Sequence, residues 1–164
     1  MAKIAVLGSN SFIAGNFVKY LLQNTSEEIL GISRSEEKER LFLPYAEIPD
    51  LKDRFKFFRQ DIKDTKNLIE LLDKEKPELI ANFVGQAEVN TSWLYPEQWF
   101  ETNTMAIINI AQQLKKRDYL KKYLAFSSPE VYGTMQENTK ENENYRPTTP
   151  YAVSKLAGDL FLKT

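Results

Sequence analysis

The chain carries a tyrosine and a lysine four residues apart, Tyr151 and Lys155, in the run Pro-Tyr-Ala-Val-Ser-Lys. On a helix, this spacing places the phenol and the ammonium on the same face, one turn apart. A nearby positive charge favours the phenolate, so we expect the pKa of the phenol to fall from about 10 toward neutral pH. The pair is therefore a candidate acid–base relay that takes a proton from an alcohol or sugar hydroxyl.

Composition excludes several other kinds of chemistry. The 164 residues include no cysteine and no histidine, which removes thiolate nucleophiles, Ser-His triads, disulfides and zinc sites built from these ligands. The net charge of −1 shows no excess of basic residues of the kind that binds nucleic acid or a membrane surface. No apolar run approaches the roughly 20 residues that span a bilayer. We expect a soluble, cytoplasmic protein without a nucleic-acid or membrane partner.

Short apolar runs alternate with amphipathic helical patterns, which predicts successive βα units on a parallel sheet. The predicted strands are Lys3–Leu7, Glu28–Ser33 and residues 55–58, 79–84 and 123–127. Helices are predicted from residue 12, over 65–76 and 96–116, and from residue 150 to the end. A short helix followed by irregular chain is predicted over 35–54, and a polar loop over 134–149. The expected fold is α/β, a doubly wound parallel sheet of the Rossmann type with three α/β/α layers.

The turn after the first predicted strand has the form of a phosphate-binding loop. Gly8 follows the strand and a helix begins soon after it, so helix N-terminal amides could hold a pyrophosphate. Only one of the three glycines of such turns is present, because Ser11 and Ala14 occupy the other positions. The Ser11 hydroxyl either donates to phosphate or pushes the cofactor outward, and Gly8 alternatively serves only a tight turn. The candidate cofactor residues of this loop are Gly8, Ser9, Ser11, Phe12 and Ile13.

The end of the second predicted strand indicates which dinucleotide would bind. An acidic residue there would hold the ribose 2′-hydroxyl of NAD, but the chain has Ser33 and Arg34. A guanidinium favours a 2′-phosphate, so NADP is the predicted cofactor and NAD the alternative. The competing explanation is a solvated Arg34 that pairs with Glu36 or Glu37.

A second group of polar residues follows the fifth predicted strand. Ser127, Ser128 and Glu130 come directly after it, and ligands of open α/β sheets bind beyond the carboxyl ends of the strands. We expect Tyr151 at the same edge, where a substrate would lie over the cofactor.

Five segments together resemble the extended short-chain dehydrogenases/reductases of the NAD(P)-dependent sugar epimerase/dehydratase family. They are the glycine turn, Asp61-Ile62, Asn82-Phe-Val-Gly-Gln86, Ser127-Ser-x-Glu-Val-Tyr-Gly133 and Pro150-Tyr-x-x-x-Lys155. The resemblance implies that Tyr151 is the catalytic acid/base, that Lys155 lowers its pKa and binds the nicotinamide ribose, and that Ser128 hydrogen-bonds the reacting hydroxyl. It also implies adenine contacts from Asp61 and Ile62, cofactor contacts from Val84, Gly85 and Gln86, and a supporting role for Asn103.

Within that family, the run Ser128-Pro-Glu130 resembles the nucleotide-sugar 4,6-dehydratases, in which the glutamate removes the C5 proton after C4 oxidation. Pro129 departs from the acidic or hydroxyl residue that would assist the loss of water. The resemblance implies a nucleotide-sugar substrate and hydride transfer at C4, with dehydration, epimerisation and simple ketone reduction all left open. The alternative is a non-catalytic NAD(P)-binding or regulatory module, which the loss of two turn glycines favours.

The resemblance also has implications for domain organisation. Residues 1–164 correspond to the NAD(P)-binding domain, whereas family members continue for about as long again with a substrate domain. Turnover by this chain alone is therefore expected to be negligible. The family commonly dimerises through paired helices, so a homodimer is the expected state, and no metal site is predicted.

Overall fold

Five parallel strands form the sheet of this protein, whose computed structural model describes residues 2–135 and 139–164. The strands are β1 (Lys3–Leu7), β2 (Glu28–Ser33), β3 (Phe55–Arg59), β4 (Leu79–Asn82) and β5 (Lys122–Ala125). Their order in the sheet is β3-β2-β1-β4-β5, and each neighbouring pair is parallel. The chain changes its direction of travel across the sheet between β1 and β4, and in doubly wound sheets ligands bind at such a point.

The helices are α1 (Phe12–Asn24), α2 (Leu51–Arg54), α3 (Thr65–Glu75), α4 (Pro96–Phe100), α5 (Ala106–Leu114) and α6 (Pro150–Lys163). A π-helical turn, Glu101–Met105, joins α4 to α5 as one continuous helix. Three short 3-10 turns complete the elements, at Arg40–Phe42, Asn90–Trp93 and Pro129–Tyr132. Among the described residues, none of these helices is both long enough and apolar enough to cross a membrane.

The predicted α/β fold with a doubly wound parallel sheet is confirmed, and the bounds of β1 and β2 agree with the prediction. The fourth strand ends at Asn82 rather than 84, because the Asn82 side chain turns back and Oδ1 accepts from the Val84 amide at 2.9 Å. The fifth strand is Lys122–Ala125 instead of 123–127. Over 35–54 the predicted order was wrong, since the α-helical turn comes last, after irregular chain and a 3-10 turn. Residues 136–138 of the predicted loop lie outside the described residues.

The chain divides into two compact units. The first is the chain up to Val84 together with Gln113–Phe126, and it holds the whole sheet. The second is Gly85–Gln112 together with Ser127–Thr164. Strands buried on both faces are expected to be nearly continuous apolar runs, and the first unit buries Ala5, Val6, Leu7, Ile29, Leu30, Ile32, Ile80 and Ala81. The second unit buries Trp99, Ile107, Ile110, Val131 and Ala152.

Candidate active site

In the first unit, the loop after β1 is held by hydrogen bonds to the end of β2. Gly8 has φ +82°, a conformation that favours glycine, and its amide donates to the Ile32 carbonyl at 2.7 Å. Ser9 Oγ lies 3.3 Å from Ser33 Oγ, and the Asn10 amide donates to the same oxygen at 3.0 Å. The sequence predicts Ser33 at the cofactor, but Ser33 is only 6% exposed. Its hydroxyl instead stabilises the loop through these contacts with Ser9 and Asn10.

Gly8 also lies against the residue that follows β4. A Cβ added to Gly8 would come within 3.2 Å of both Cγ2 and the amide nitrogen of Val84. A side chain at Gly8 would therefore be strained by the positive φ and crowded by this neighbour. The structure thus brings Gly8 and Val84, two predicted cofactor residues, together where the strand order reverses.

The first turn of α1 presents amides that have no acceptor. Ser11 is the N-cap, and its Oγ accepts from the Ala14 amide at 3.3 Å, which leaves the hydroxyl proton able to donate elsewhere. Among the described residues, no acceptor is found for the amides of Phe12 and Ile13, the usual orphan donors of a first helical turn. Their side chains are 83% and 56% exposed. Free amides at a helix N-terminus fit a phosphate group, so this loop suits the pyrophosphate of a dinucleotide.

Arg34 follows the buried end of β2 and is exposed. The two carboxylates that were its candidate partners are bound to other residues. Glu36 Oε1 accepts from Arg59 Nη1 at 2.6 Å, and Glu37 Oε1 accepts from the Tyr45 hydroxyl at 3.0 Å. Within the described part of the chain, the Arg34 guanidinium has neither an ion pair nor a hydrogen bond, so it is available to an anionic ligand.

The two predicted adenine contacts follow β3 and differ in exposure. Asp61 is partly exposed, and its Oδ1 accepts from the Lys63 amide at 2.9 Å, which shapes the turn before α3. Ile62 is buried. The side chain of Ile62 therefore belongs to the core of the first unit, and a ligand could meet only its backbone.

In the second unit, Tyr151 and Lys155 lie one turn apart on α6, as the spacing predicts. The helix begins at the Thr149 cap, whose Oγ1 accepts from the Ala152 amide at 3.1 Å. Burial lowers the pKa of the Lys155 ammonium, and the carboxylate of Asp159, one turn further along, opposes that shift. Because the Lys155 ammonium is partly removed from water, its charge interacts more strongly with neighbouring groups.

Asn103, on the π-helical turn, connects α6 with the segment after β4. Its buried side chain accepts from the Gln86 amide at 2.8 Å and donates to the Gln86 carbonyl at 3.0 Å. The same amide group donates to Ser154 Oγ at 3.0 Å. A Cβ added to Gly85 would lie 3.4 Å from Asn103 Oδ1 and 3.8 Å from Lys155 Nζ. The second unit therefore brings four predicted cofactor residues together, namely Gly85, Gln86, Asn103 and Lys155.

Small and polar residues that the sequence did not single out fix the packing of α6. Ser154 is buried, and its Oγ donates to the Tyr151 carbonyl at 2.7 Å. The Ser154 carbonyl accepts from Thr104 Oγ1, also at 2.7 Å. Gly158 lies so close to the Asn103 carbonyl that a Cβ would not fit without a shift. The sequence signal for this contact was the spacing of Ser154 and Gly158, four apart on one helix face.

The 3-10 turn after β5 holds the other two predicted catalytic residues. Ser128 caps this turn, and its Oγ accepts from the Glu130 amide at 3.2 Å, so its hydroxyl proton is able to donate to a ligand. Both side chains are partly buried. The preceding Ser127 donates to the carboxylate of Asp159, which ties the turn directly to α6 within the second unit.

The chain returns to this turn after the polar loop. The Arg146 amide donates to the Val131 carbonyl at 3.0 Å. Gly133, with φ +69°, lies so close to the Arg146 carbonyl that a Cβ would not fit. The rings of Tyr132 and Tyr145 stack with centroids 5.7 Å apart. Gly133 and Arg146, at the two ends of the intervening segment, are therefore in direct contact.

The sequence profile of the GDP-mannose 4,6 dehydratase family matches residues 6–164. The chain belongs to this family. Two curated relatives are each 30% identical to it: the dTDP-glucose 4,6-dehydratase of Xanthomonas campestris pv. campestris (strain B100), over 97% of this chain and 47% of the relative, and the UDP-glucose 4-epimerase of Lacticaseibacillus casei, over 94% and 44%. Among solved structures, DesIV (dTDP-glucose 4,6-dehydratase) from Streptomyces venezuelae, with NAD and TYD bound, aligns with a TM-score of 0.81 and 25% identity, over 97% of this chain and 50% of that chain.

Membership of the GDP-mannose 4,6 dehydratase family confirms the resemblance that the five sequence segments indicated. The similarity to DesIV agrees with the Rossmann-type sheet observed in the first unit. The chain spans about half the length of the relatives that it matches.

Proposed function

We propose that the whole protein is an NAD(P)-dependent enzyme of nucleotide-sugar metabolism, of the 4,6-dehydratase or 4-epimerase type. Residues 1–164 are then its cofactor-binding domain. Family membership supports the reaction class, and the two relatives at 30% identity are a 4,6-dehydratase and a 4-epimerase. The observation that carries the proposal is the partly buried Lys155, with Nζ beside Gly85, one turn from Tyr151 on α6.

In this proposal, Tyr151 exchanges the proton of the C4 hydroxyl of the sugar. Lys155 lies one helical turn further along α6, and general acid–base groups of this kind contribute about 10²–10⁴ in rate. Ser128 donates its free hydroxyl proton to the same sugar oxygen and so orients it. When bound, the cofactor supplies a nicotinamide ring that accepts the C4 hydrogen as hydride.

The first unit carries groups that fit the pyrophosphate and adenosine parts of a dinucleotide. The free amides of Phe12 and Ile13 and the hydroxyl proton of Ser11 suit a pyrophosphate. The uncommitted guanidinium of Arg34 suits a phosphate on the ribose 2′-oxygen, which favours NADP over NAD for this protein. Asp61 is the remaining candidate, at the adenine.

Glu130 distinguishes the reactions that can follow C4 oxidation. A carboxylate is able to remove the C5 proton, a step that dehydration requires and that C4 epimerisation does not. Pro129, which opens the 3-10 turn, carries no acidic or hydroxyl group to assist the departure of water. Glu130 is therefore the proposed base that removes the C5 proton, and Pro129 has no proposed role in the reaction.

The proposal is tested by turnover of the whole protein with dTDP-glucose and UDP-glucose. We expect Tyr151→Phe to reduce hydride transfer by about 10²–10⁴ without weakening dinucleotide binding. Glu130→Gln should retain hydride transfer and abolish the loss of water. Tyr20→Phe, at an exposed tyrosine of α1, is the matched control and should change neither rate. Turnover by Tyr151→Phe within a few-fold of wild type would refute the assignment, and a wild-type protein that binds dinucleotide without turnover would be a non-catalytic module.

We also propose that the protein is a homodimer formed through its helices. Exposed apolar side chains support this, namely Met105 on the π-helical turn and Val153 and Leu160 on α6, because exposed apolar surface favours association. Sedimentation at several protein concentrations is the test, and a monomer at all of them would refute the proposal.

A further inference from the structure

The ion pair between Arg59 and Glu36 lies at the turn that carries Arg34. We propose that this pair sets the selectivity of the protein for a 2′-phosphorylated adenosine ribose, because Arg59 neutralises a carboxylate that would otherwise oppose the phosphate. Arg59 then acts on selectivity through Glu36, without binding the ligand itself. The inference rests on the proposed function, since it requires a dinucleotide at this turn.

The turn after β2 is clamped from two sides. From the loop after β1, Asn10 Nδ2 donates to the Glu36 carbonyl at 2.7 Å and to Ser35 Oγ at 3.0 Å. From the end of β3, Arg59 Nε donates to the Arg34 carbonyl at 3.3 Å. The backbone of residues 34–36 is therefore held by side chains from both neighbouring strand ends, which fixes the point from which the Arg34 side chain extends.

The charges at this turn leave Arg34 as the group that can bind an anion. Arg59 Nη1 lies 2.6 Å from Glu36 Oε1, so these two charges compensate each other. Ser35 Oγ accepts from Asn10 and keeps its proton for donation. Among the described residues, a phosphate at this turn would therefore meet the Arg34 cation, for which no partner is found, and the hydroxyl donor of Ser35.

Removal of the Arg59 charge would leave the negative charge of Glu36 uncompensated. Glu36 would then be free to pair with Arg34 or to repel a phosphate dianion. A carboxylate in this region is also the group that holds an unphosphorylated ribose 2′-hydroxyl. Loss of Arg59 should therefore weaken binding of the 2′-phosphate without weakening binding of the unphosphorylated nucleotide.

The expected effect is moderate, because the two side chains are 63% and 75% exposed. Exposed ion pairs of this kind are worth up to about 1 kcal/mol, which corresponds to a change of about fivefold in affinity. The effect should also diminish as salt screens the charges.

The experiment is calorimetric titration of the protein with 2′,5′-ADP and with 5′-AMP at low ionic strength. The variants are Arg59→Gln, Glu36→Gln and the double variant, with Lys56→Gln as control. Lys56 lies on the same strand and pairs with Glu28, so its loss changes the charge equally at a distance from the turn. We expect Arg59→Gln to weaken 2′,5′-ADP about three- to fivefold, the double variant to recover wild-type affinity within about twofold, and Lys56→Gln to change nothing.

The outcomes separate this inference from the proposed function. A double variant as weak as Arg59→Gln would mean that Arg59 does not act through Glu36, but on the phosphate or through its hydrogen bond to the Arg34 carbonyl. Equal affinities in all variants would mean that the pair has no influence, and either result overturns the inference. If the wild type binds 5′-AMP as tightly as 2′,5′-ADP, the inference and the NADP preference fail while an NAD-dependent function stands. If neither nucleotide binds, the proposed function fails with it.

Discussion

The two units hold their predicted site residues by different means. In the first, hydroxyl and amide groups of Ser9, Asn10 and Ser33 hold the loop after β1, and a serine caps the helix in place of a glycine. In the second, α6 is held by the contact of Gly158 with the Asn103 carbonyl and by the buried Ser154. The comparison shows that side-chain hydrogen bonds hold the loop in the first unit, whereas α6 combines the hydrogen bonds of Ser154 with a glycine contact that leaves no room for a side chain.

The strongest test of this comparison is one substitution made in a helix of each unit. Gly158→Ala would place a methyl group against the Asn103 carbonyl, which forces a backbone shift, and we expect a loss of at least about 2 kcal/mol of stability. Gly15→Ala in α1 would place its Cβ 3.3 Å from Pro44 Cδ, a contact that a small shift relieves. The gain in helix propensity of up to about 1 kcal/mol should leave Gly15→Ala within about 1 kcal/mol of wild type. Urea unfolding measures both, and equal losses would refute the difference between the units.

A smaller effect is expected from removing one helix hydroxyl in each unit. Ser154→Ala leaves a buried amide proton of Asn103 without its acceptor, which should destabilise the protein by about 1–3 kcal/mol. Ser11→Ala removes an exposed N-cap and should cost about 1 kcal/mol, whereas Ser11→Gly should cost only a few tenths. Thermal unfolding of the three variants provides the comparison. A larger loss for Ser11→Ala than for Ser154→Ala would contradict it.

The smallest effect concerns the pH dependence of stability. Burial lowers the pKa of Lys155, so the folded state binds fewer protons than the unfolded state, whose lysine pKa is about 10.4. Stability due to Lys155 therefore rises as pH increases through its folded pKa. Lys155→Met should be more stable than wild type near neutral pH, and this advantage should shrink as pH rises toward 10.

Lys56 is the matched control, because the partner Glu28 raises the pKa of Lys56. Its contribution has the opposite sign: it is present below the unfolded pKa and is lost as pH rises through the folded value. Lys56→Met should therefore be less stable than wild type near neutral pH, by an amount that also shrinks at alkaline pH. Unfolding free energies at several pH values test both variants, and the same sign for the two would refute the reasoning.

Local sequence predicted most of the sheet and the position of α6. Buried parallel strands are apolar runs between turn residues, which is why β1 and β2 were predicted with the observed bounds. The segment 35–54 was harder, because its arrangement depends on Tyr45, which is buried in the core of the first unit and donates to Glu37. Its two prolines and many charges give no sign of that burial.

The long helix shows a second limit of local sequence. A π-helical turn adds a residue to the helical repeat, so the stripe of a regular helix with 3.6 residues per turn does not reveal it. The residues of the candidate site could be predicted where their relative position follows from spacing within one helix, as it does for Tyr151 and Lys155. Asn10, Arg59 and Ser154 were missed because the partners that connect them to other elements lie 23 to 51 residues away in the chain.

Gly133 and Arg146 are in contact, so the chain between them begins and ends at one place in the second unit. Each doubling of the length of a flexible loop adds only about 0.6 kcal/mol to the free energy of loop closure. A foreign peptide grafted after Lys140 should therefore leave α6 undisturbed if Glu143 and Tyr145 keep their hydrogen bonds to Lys163 Nζ. The segment is therefore a place where a label could be attached to the protein.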